Sequence, residues 1–309
     1  MVGYQLTCAV YNMHLHLTKT NVMKKIKLLL GILSVLTLLF ATACQDLDSV
    51  KDTDQQGHLV IKLTDAPFPI DMIDSAMVTI TKIEMRKKSE GEELGYPYIT
   101  VLEEPVEFNL LDLRNGITAD LVDIEIEAGN YDLIRLYVEE ASLTVKEGET
   151  FSLKVPSGSQ TGIKMFMEPD LHVAGGLTTD VLLDFNVEKS FILKGNTKSP
   201  AGIKGFNFKP VIRAVNITTA GTIEGLVTNS DTAIQAASVW IEQDTVITSA
   251  FTDTVGYYAM PGIPAGLYTI SATIEGFDTV AYEGVEIIEG NLTIQNFSLT
   301  PVEEETEEE

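Results

Sequence analysis

Cys44 is the residue whose surroundings most clearly predict covalent chemistry. A basic stretch, residues 24–27, precedes an apolar run over residues 28–40 and the small residues 41–43. Lysines keep one end of such a segment at the cytoplasmic face, and the run is shorter than the roughly 20 residues of a membrane span. This order predicts a signal peptide over residues 1–43 whose removal leaves Cys44 to carry a lipid.

The mature chain is therefore expected to be attached to a membrane through Cys44. Translation is predicted to start at Met23, because residues 1–22 lack signal-peptide features. Residues 44–57 are polar, acidic and aperiodic, which predicts a flexible lipidated tether. The tether resembles the export signal of outer-membrane lipoproteins that face the cell surface. A periplasm-facing lipoprotein, and an ordinary secretory signal with a chance cysteine, are the alternatives.

Three aromatic side chains are candidates for stacking against sugar rings. They are Trp240, Tyr257 and Tyr282, and each lies in a short β-type segment near the C-terminus. Aromatic rings present flat apolar faces, so exposed rings on a sheet would suit a polysaccharide ligand. The alternative for Trp240 is packing in the core, because a lone aromatic residue in a strand is usually buried.

A recurring Asp-(Ser/Thr)-apolar pattern predicts sites of O-glycosylation, since it resembles a bacterial acceptor sequence. Asp-Thr pairs also begin turns, which is the alternative explanation. The candidate acceptors are Ser49, Ser75, Thr232, Thr245, Thr254 and Thr279.

The sequence offers no recognisable set of catalytic or metal-binding residues. His58 and His172 lack the spacing of a zinc site, and no Gly-x-Ser-x-Gly elbow occurs. Residues 158–164 resemble a phosphate loop but lack its Gly-Lys-Ser/Thr. Asp65 is expected to accept backbone hydrogen bonds in a turn. We therefore expect no enzyme, metal or cofactor, with a glycan hydrolase that uses a carboxylate pair as the alternative.

Charge argues against nucleic acid as a partner. The formal net charge is -24, and it becomes about -28 once residues 1–43, which hold four lysines and no acids, are removed. No Lys or Arg follows Arg213, so the C-terminal part is uniformly acidic. Residues 301–309 are mostly glutamate and are expected to be a disordered acidic tail.

The elements that position these residues are predicted to be β-strands. Short β-branched runs bounded by Asp, Pro and Gly occupy residues 59–64, 77–83 and 133–138, and only residues 110–121 suggest a short helix. The pattern predicts a mainly β chain with two antiparallel sandwich or barrel-like domains. The first is expected over residues 58–217.

Several phrases of this first domain resemble a family of bacterial lipoproteins with domain of unknown function 4382. The resemblance implies no activity. The phrases cover residues 57–67, 128–136, 156–164, 183–185 and 209–213.

Residues 221–300 are predicted to form a second domain, a seven-stranded Greek-key sandwich. Residues 252–270, followed by Gly276-Phe277, resemble the carboxypeptidase regulatory-like domain and its transthyretin-like relatives. That resemblance implies a fold and an accessory role, not a peptidase.

Together these features predict a membrane-anchored, non-catalytic binding, adhesion or structural module at the cell surface, with a polysaccharide or a protein as its ligand. A carbohydrate-binding accessory protein of a glycan-utilisation system is the alternative.

Overall fold

The computed structural model describes residues 56–66, 73–88, 98–155, 160–196 and 202–302. Residues 52–309 form one compact unit. Cys44, Ser49 and the glutamates of the acidic tail lie outside the described residues. The first strand begins at Gln56, inside the predicted tether.

The first half of the compact unit, which we call the first sandwich, contains twelve strands within the described residues. They are β1 (Gln56–Ala66), β2 (Ile73–Lys87), β3 (Tyr98–Leu102), β4 (Val106–Asn109), β5 (Ala119–Glu127), β6 (Gly129–Val145), β7 (Thr150–Leu153), β8 (Ile163–Val173), β9 (Thr178–Asn186), β10 (Phe191–Gly195), β11 (Ile203–Phe208) and β12 (Ile212–Asn216). Short helical turns occupy Leu110–Leu113, α1 (Val187–Ser190) and Ile217–Thr219.

Two sheets and one hairpin enclose the core of the first sandwich. One sheet has the order β12-β9-β1-β5, the other has β3-β2-β6-β7 with β4 and β8 added, and β10 pairs with β11. Alternate residues of β1, namely Leu59, Ile61 and Leu63, are fully buried in a cluster that draws on both sheets. This period of two is the expected signature of a strand with one face on the core.

The second half, which we call the second sandwich, also consists of two sheets. Its strands are β13 (Ala220–Asn229), β14 (Thr232–Ala233), β15 (Ser238–Glu242), β16 (Val246–Phe251), β17 (Tyr257–Pro264), β18 (Gly266–Thr273), β19 (Val280–Ile287), β20 (Leu292–Ile294) and β21 (Phe297–Ser298). One sheet has the order β14-β13-β17, with β20 and β21 on β13, and the other has β16-β15-β18-β19. A separate apolar cluster that includes Ile223, Ile241 and Ile270 fills the space between them.

The mainly β sandwich fold expected from the sequence is confirmed, with three differences in detail. β1 pairs with β9 in parallel, and so do β20 and β21 with β13. The second sandwich has nine strands among its described residues, not the predicted seven, because residues 292–298 hold two short strands, β20 and β21, and β14 adds a further short strand. The helix expected over residues 110–121 is wrong beyond its first turn, because Asn115 and Gly116 take positive φ angles of 55° and 77° that end it.

Candidate ligand-binding cleft

One ion pair lies where the two sandwiches meet. Asp184 on β9 is opposite Arg213 on β12, and Arg213 Nη2 donates to Asp184 Oδ2 over 2.8 Å. Two groups of the second sandwich join them. Thr248 Oγ1 donates to the same carboxylate oxygen over 3.1 Å, and Arg213 Nη1 donates to the Gly262 carbonyl over 2.6 Å. We call these four residues the seam.

Gly262 allows β17 to approach the first sandwich closely enough for this contact. Its φ of +70° is one that side-chain-bearing residues rarely adopt, and a β-carbon there would lie 3.0 Å from Leu182 Cδ2. The carbonyl that Arg213 binds therefore belongs to a residue whose backbone conformation favours glycine.

A second carboxyl group, that of Asp65 at the end of β1, is buried beside the seam. Its Oδ1 accepts from the Val187 amide over 3.3 Å, and its Oδ2 has no partner among the described residues. Burial raises the pKa of Asp65 well above its usual value, and the negative charge of Asp184 raises it further. Asp65 was expected to bond to backbone amides of its own turn. Its observed partner, the Val187 amide on α1, is distant in sequence.

Asp65 and Asp184 are the kind of carboxyl pair that a glycan hydrolase would need, but they are not presented to a ligand. Only 4% of the surface of Asp65 and 6% of that of Asp184 are exposed. Neither residue lines the cleft described below. Asp65 instead joins β1 to α1 within the first sandwich, and Asp184 joins β9 to the second sandwich.

A cleft of about 1080 Å³ opens between the two sandwiches. Its lining combines aromatic rings with hydroxyl, amide, carboxylate and guanidinium groups. The first sandwich contributes Asp112, Arg114 and Asn115, and the second contributes Ser238, Phe251, Asp253, Tyr257, Thr273 and Glu275. Such a lining can stack the flat face of a ligand while bonding its polar edge.

The wall from the first sandwich is held by side-chain contacts to its backbone. Asn109 caps the turn Leu110–Leu113, because its Oδ1 accepts from the Leu111 amide over 3.4 Å. Thr64 Oγ1 lies 3.1 Å from the Leu113 carbonyl and 3.0 Å from that of Ile117. The loop that carries Arg114 and Asn115 is thus fixed to β1.

Asn115 in this loop has an unpaired acceptor. Its Oδ1 is buried and has no hydrogen-bond partner among the described residues, although the side chain lines the cleft. Buried polar atoms are usually hydrogen-bonded, so this atom is a natural partner for a donor that enters with a ligand.

The wall from the second sandwich is fixed by Asp253 and Glu224. Asp253 Oδ1 accepts from the amides of Val255 and Tyr257, each over 2.9 Å. The Tyr257 hydroxyl donates to Glu224 Oε2 over 2.8 Å. Burial raises the pKa of Tyr257 to about 12, and the bond to Glu224 adds to this effect. Tyr257 is therefore a neutral ring held at both ends, and it needs no ordering when a ligand binds.

Trp240 lies on the outer face of β15, not in the core. Its neighbours Val239 and Ile241 are fully buried, whereas Trp240 is half-buried and points to the other side of the sheet. It lies between Ser249 on β16 and Ser271 on β18. The alternative of a core tryptophan is wrong because alternation along β15 assigns the inward positions to its neighbours.

The outer face of β15 continues from Trp240 into the cleft. Ser238, two residues away on the same face, lies opposite Phe251 and Thr273, and all three line the cleft. Phe251 was not among the predicted site residues, since a phenylalanine at the end of an apolar strand gives no sign of facing outward. Its register with Ser238 was the missing information.

Tyr282 is separate from the other two predicted stacking residues. It lies opposite the buried Ile270, and its ring contacts that of Phe297 with centroids 5.3 Å apart. Although 40% exposed, it belongs to the inward side of β19 and does not line the cleft. The structure therefore places Tyr257 in the cleft and Trp240 on the outer face of β15 next to it, whereas Tyr282 is away from both.

The predicted O-glycosylation acceptors fall into two groups. Thr232, Thr245, Thr254 and Thr279 are exposed in the second sandwich at or near turns between strands, and Thr254 lines the cleft. Ser75 is half-buried within β2. Their modification stays a prediction.

The histidines have ordinary polar partners. His58 Nε2 lies 2.7 Å from Asp123 Oδ1, and His172 Nδ1 lies 2.8 Å from Asn130 Oδ1. Across the described ranges, no three His, Cys, Asp or Glu residues are grouped closely enough to hold a metal ion. No helix in the same ranges is both long and apolar enough to span a membrane.

The fold and cleft define a two-sandwich β-protein with a ligand-sized opening at the junction of its halves. The chain belongs to the family called domain of unknown function (DUF4382), which matches residues 56–210. The carboxypeptidase regulatory-like domain matches residues 222–300. The two domain resemblances found in the sequence are thereby confirmed. No curated protein matches the chain.

Three of the solved structures that match are bacterial proteins, and their TM-scores are low. The Bacillus anthracis TIE protein is 14% identical at a TM-score of 0.23, and the match covers 80% of this chain and 34% of that one. The shaft pilin SpaA of Lactobacillus rhamnosus GG is 9% identical at 0.25, covering 80% and 98%. The minor pilin GBS52 of Streptococcus agalactiae is 10% identical at 0.23, covering 81% and 99%. This chain thus spans about a third of the first protein.

Replacing Arg213 tests the seam. Arg213→Met should lower the free energy of unfolding by about 2–4 kcal/mol, because it leaves the buried Asp184 carboxylate without its cation. Lys62→Met is the matched control, since Lys62 makes a looser 3.9 Å pair with Asp180, which lies on β9 like Asp184. It should lower the free energy of unfolding by less than about 1 kcal/mol. Urea unfolding followed by fluorescence of the single tryptophan measures both. Equal losses in the two variants would contradict the role of the seam.

The buried acid Asp65 should make stability depend on pH. Because its folded-state pKa is raised, its contribution is complete below the ordinary carboxyl pKa of about 4 and is lost as pH rises toward the folded value. Asp65→Asn is neutral at every pH, so the variant should gain stability relative to the wild type as pH rises above about 4. Urea unfolding over a pH series gives this difference. A difference that stays constant with pH would show that Asp65 is not retained as the neutral acid.

Proposed function

We propose that this protein is a membrane-anchored, non-catalytic binding module whose cleft takes a carbohydrate. The observation that carries the proposal is the lining of the cleft: the rings of Phe251 and Tyr257 lie among hydroxyl, amide and charged groups. Sugars have both flat apolar faces and hydroxyl edges, and this mixture matches both. Adhesion to a polysaccharide surface would follow from the same site.

The side chains that line the cleft are already held in place, which favours ligand binding. Tyr257 is held by Glu224 and by the Asp253 turn, and the opposite loop is held by Thr64 and Asn109. Preorganised side chains lose less conformational entropy when a ligand binds. Trp240, two residues from Ser238 on the same face, extends the platform beyond the cleft.

A binding screen against soluble polysaccharides tests the site. The chain should bind at least one of starch, laminarin, xylan or mucin glycan, and Tyr257→Ser should weaken that binding about tenfold or more because a stacking ring is lost. Tyr282→Ser is the matched control, since Tyr282 lies away from the cleft, and it should leave the affinity within about twofold. Calorimetric titration measures the affinities. Equal weakening by both variants, or binding that neither changes, would place the ligand elsewhere.

We also propose that Cys44 carries the lipid that anchors the chain to the outer membrane, with the body facing the cell surface. The support is the sequence of residues 24–44, in which lysines, a short apolar run and small residues precede the cysteine. The acidic tether that follows supports surface export. The cleft would then meet polysaccharide outside the cell.

Removal of the thiol tests this anchor. In a detergent phase separation, the wild type should partition into the detergent-rich phase. Cys44→Ala should partition into the aqueous phase, because alanine cannot be acylated. Protease treatment of intact cells that express the wild type should digest the second sandwich. Protection until the outer membrane is broken would place the body in the periplasm, and an unchanged partition of Cys44→Ala would contradict lipidation.

A further inference from the structure

The β10–β11 hairpin is unusually basic for this acidic chain. Within the described parts of residues 187–213, five side chains are cationic and only Glu188 is acidic, whereas the whole chain has a net charge of -24. Four of the cations are exposed lysines. They are Lys189, Lys194, Lys204 and Lys209. We call these lysines and the hairpin that bears them the basic hairpin.

Several other cations of the first sandwich are held by acidic partners, whereas these four lysines are not within the described ranges. Arg86 is bound to Asp132 through two hydrogen bonds, Arg135 contacts Glu84, and Arg213 belongs to the seam. None of the four lysines forms an ion pair with another described residue. Their charge is available to an anionic partner.

The hairpin also presents aliphatic side chains beside the lysines. Ile192 on β10 is 48% exposed, and Val211, just after β11, is 38% exposed. The aromatic residues of the hairpin, Phe191, Phe206 and Phe208, are instead buried in the core. Exposed lysines with aliphatic neighbours and no exposed ring fit an interface with lipid headgroups better than a sugar-binding surface.

We propose that the basic hairpin is the face with which this protein contacts an anionic lipid surface. Each lysine near such a surface contributes about a fivefold gain in binding, and Ile192 reaches the boundary of the acyl chains. The rest of the chain is strongly negative and is repelled by the same surface. The contact therefore also sets the orientation of the two sandwiches on the membrane. This contact goes beyond the proposed function and does not depend on what the cleft binds.

The position of the basic hairpin is compatible with attachment at Cys44. β1 and β9 are parallel, with His58 opposite Thr178 and Ala66 opposite Asn186, so β10 follows the end of the pair remote from the entering chain. β1 has 11 residues, or about 36 Å at the usual rise. The twelve residues from 44 to 55 can span at most about 40 Å. A fully extended tether is therefore about as long as β1.

Sedimentation with vesicles tests this contact in a protein that lacks Cys44 and its lipid. The protein used begins at Gln45 and so includes the whole compact unit of residues 52–309. It should bind vesicles made from equal parts of phosphatidylglycerol and phosphatidylcholine, not phosphatidylcholine alone, and the binding should fall as salt is added. Absence of binding to the anionic vesicles would overturn the proposal, whatever the outcome for Cys44.

Paired variants locate the contact on the hairpin. Lys194→Gln with Lys204→Gln should lower the partition onto anionic vesicles about 25-fold. Lys146→Gln with Lys164→Gln is the matched control, because it removes the same charge from exposed lysines elsewhere, and it should change the partition less than about threefold. Equal losses in the two pairs would show an effect of net charge alone and would overturn the assignment.

Ile192→Ser distinguishes lipid from a soluble polyanion. It should weaken vesicle binding about threefold or more, because an inserted aliphatic side chain is lost while every charge is kept. Binding of soluble alginate that depends on Lys194 and Lys204, without any effect of Ile192→Ser on vesicles, would assign the basic hairpin to an acidic polysaccharide instead. The fluorescence of Trp240, in the other sandwich, should be unchanged in every correctly folded variant.

Discussion

The Asp184–Arg213 pair is the interaction on which the candidate site depends. A buried carboxylate is costly unless it is paired and hydrogen-bonded. Here its partners come from both sandwiches: Arg213 from β12, and the Thr248 hydroxyl from β16. Arg213 in turn binds the carbonyl of Gly262 on β17. Each half therefore satisfies a buried polar group of the other, which favours one relative position of the two halves.

The cleft follows from that position, because neither sandwich alone encloses it. Arg114 and Asn115 come from a loop of the first sandwich, and Phe251 and Tyr257 come from strands of the second. Thr64 holds this loop to β1, and the next residue of β1 is the buried Asp65, whose carboxyl group feels the charge of Asp184 in the seam. A change in the seam should therefore reach the geometry of the cleft through packed and hydrogen-bonded groups.

The sequence predicted the strands well and their neighbours poorly. Short β-branched runs identified parts of β1, β2 and β6, because a strand with one buried face must alternate whatever it pairs with. The parallel pairing of β1 with β9 and the antiparallel pairing of β9 with β12 join segments far apart in the chain. No local pattern encodes such pairings, so the meeting of Asp184 with Arg213 could not be predicted.

The candidate site was predicted in part, for the same reason. Tyr257, one of the three aromatic candidates, lines the cleft, and Trp240 lies on the sheet face that adjoins it, while stacking by either ring stays a prediction. Phe251 was missed because its exposure depends on register, and Asn115 was missed because its unpaired oxygen is visible only in three dimensions. Residue types can suggest the chemistry of a site, but only the packing shows which residues share it.

The affinity of Arg213→Gln for the polysaccharide that the wild type binds tests the central claim most directly. The measurement is made by calorimetry in conditions where circular dichroism shows both proteins to be fully folded. Because Arg213 does not line the cleft, it can affect binding only by positioning the two sandwiches. The account predicts an affinity at least about fivefold weaker than that of the wild type, a modest coupling between two sites. An unchanged affinity would contradict it and would place the ligand site within a single sandwich.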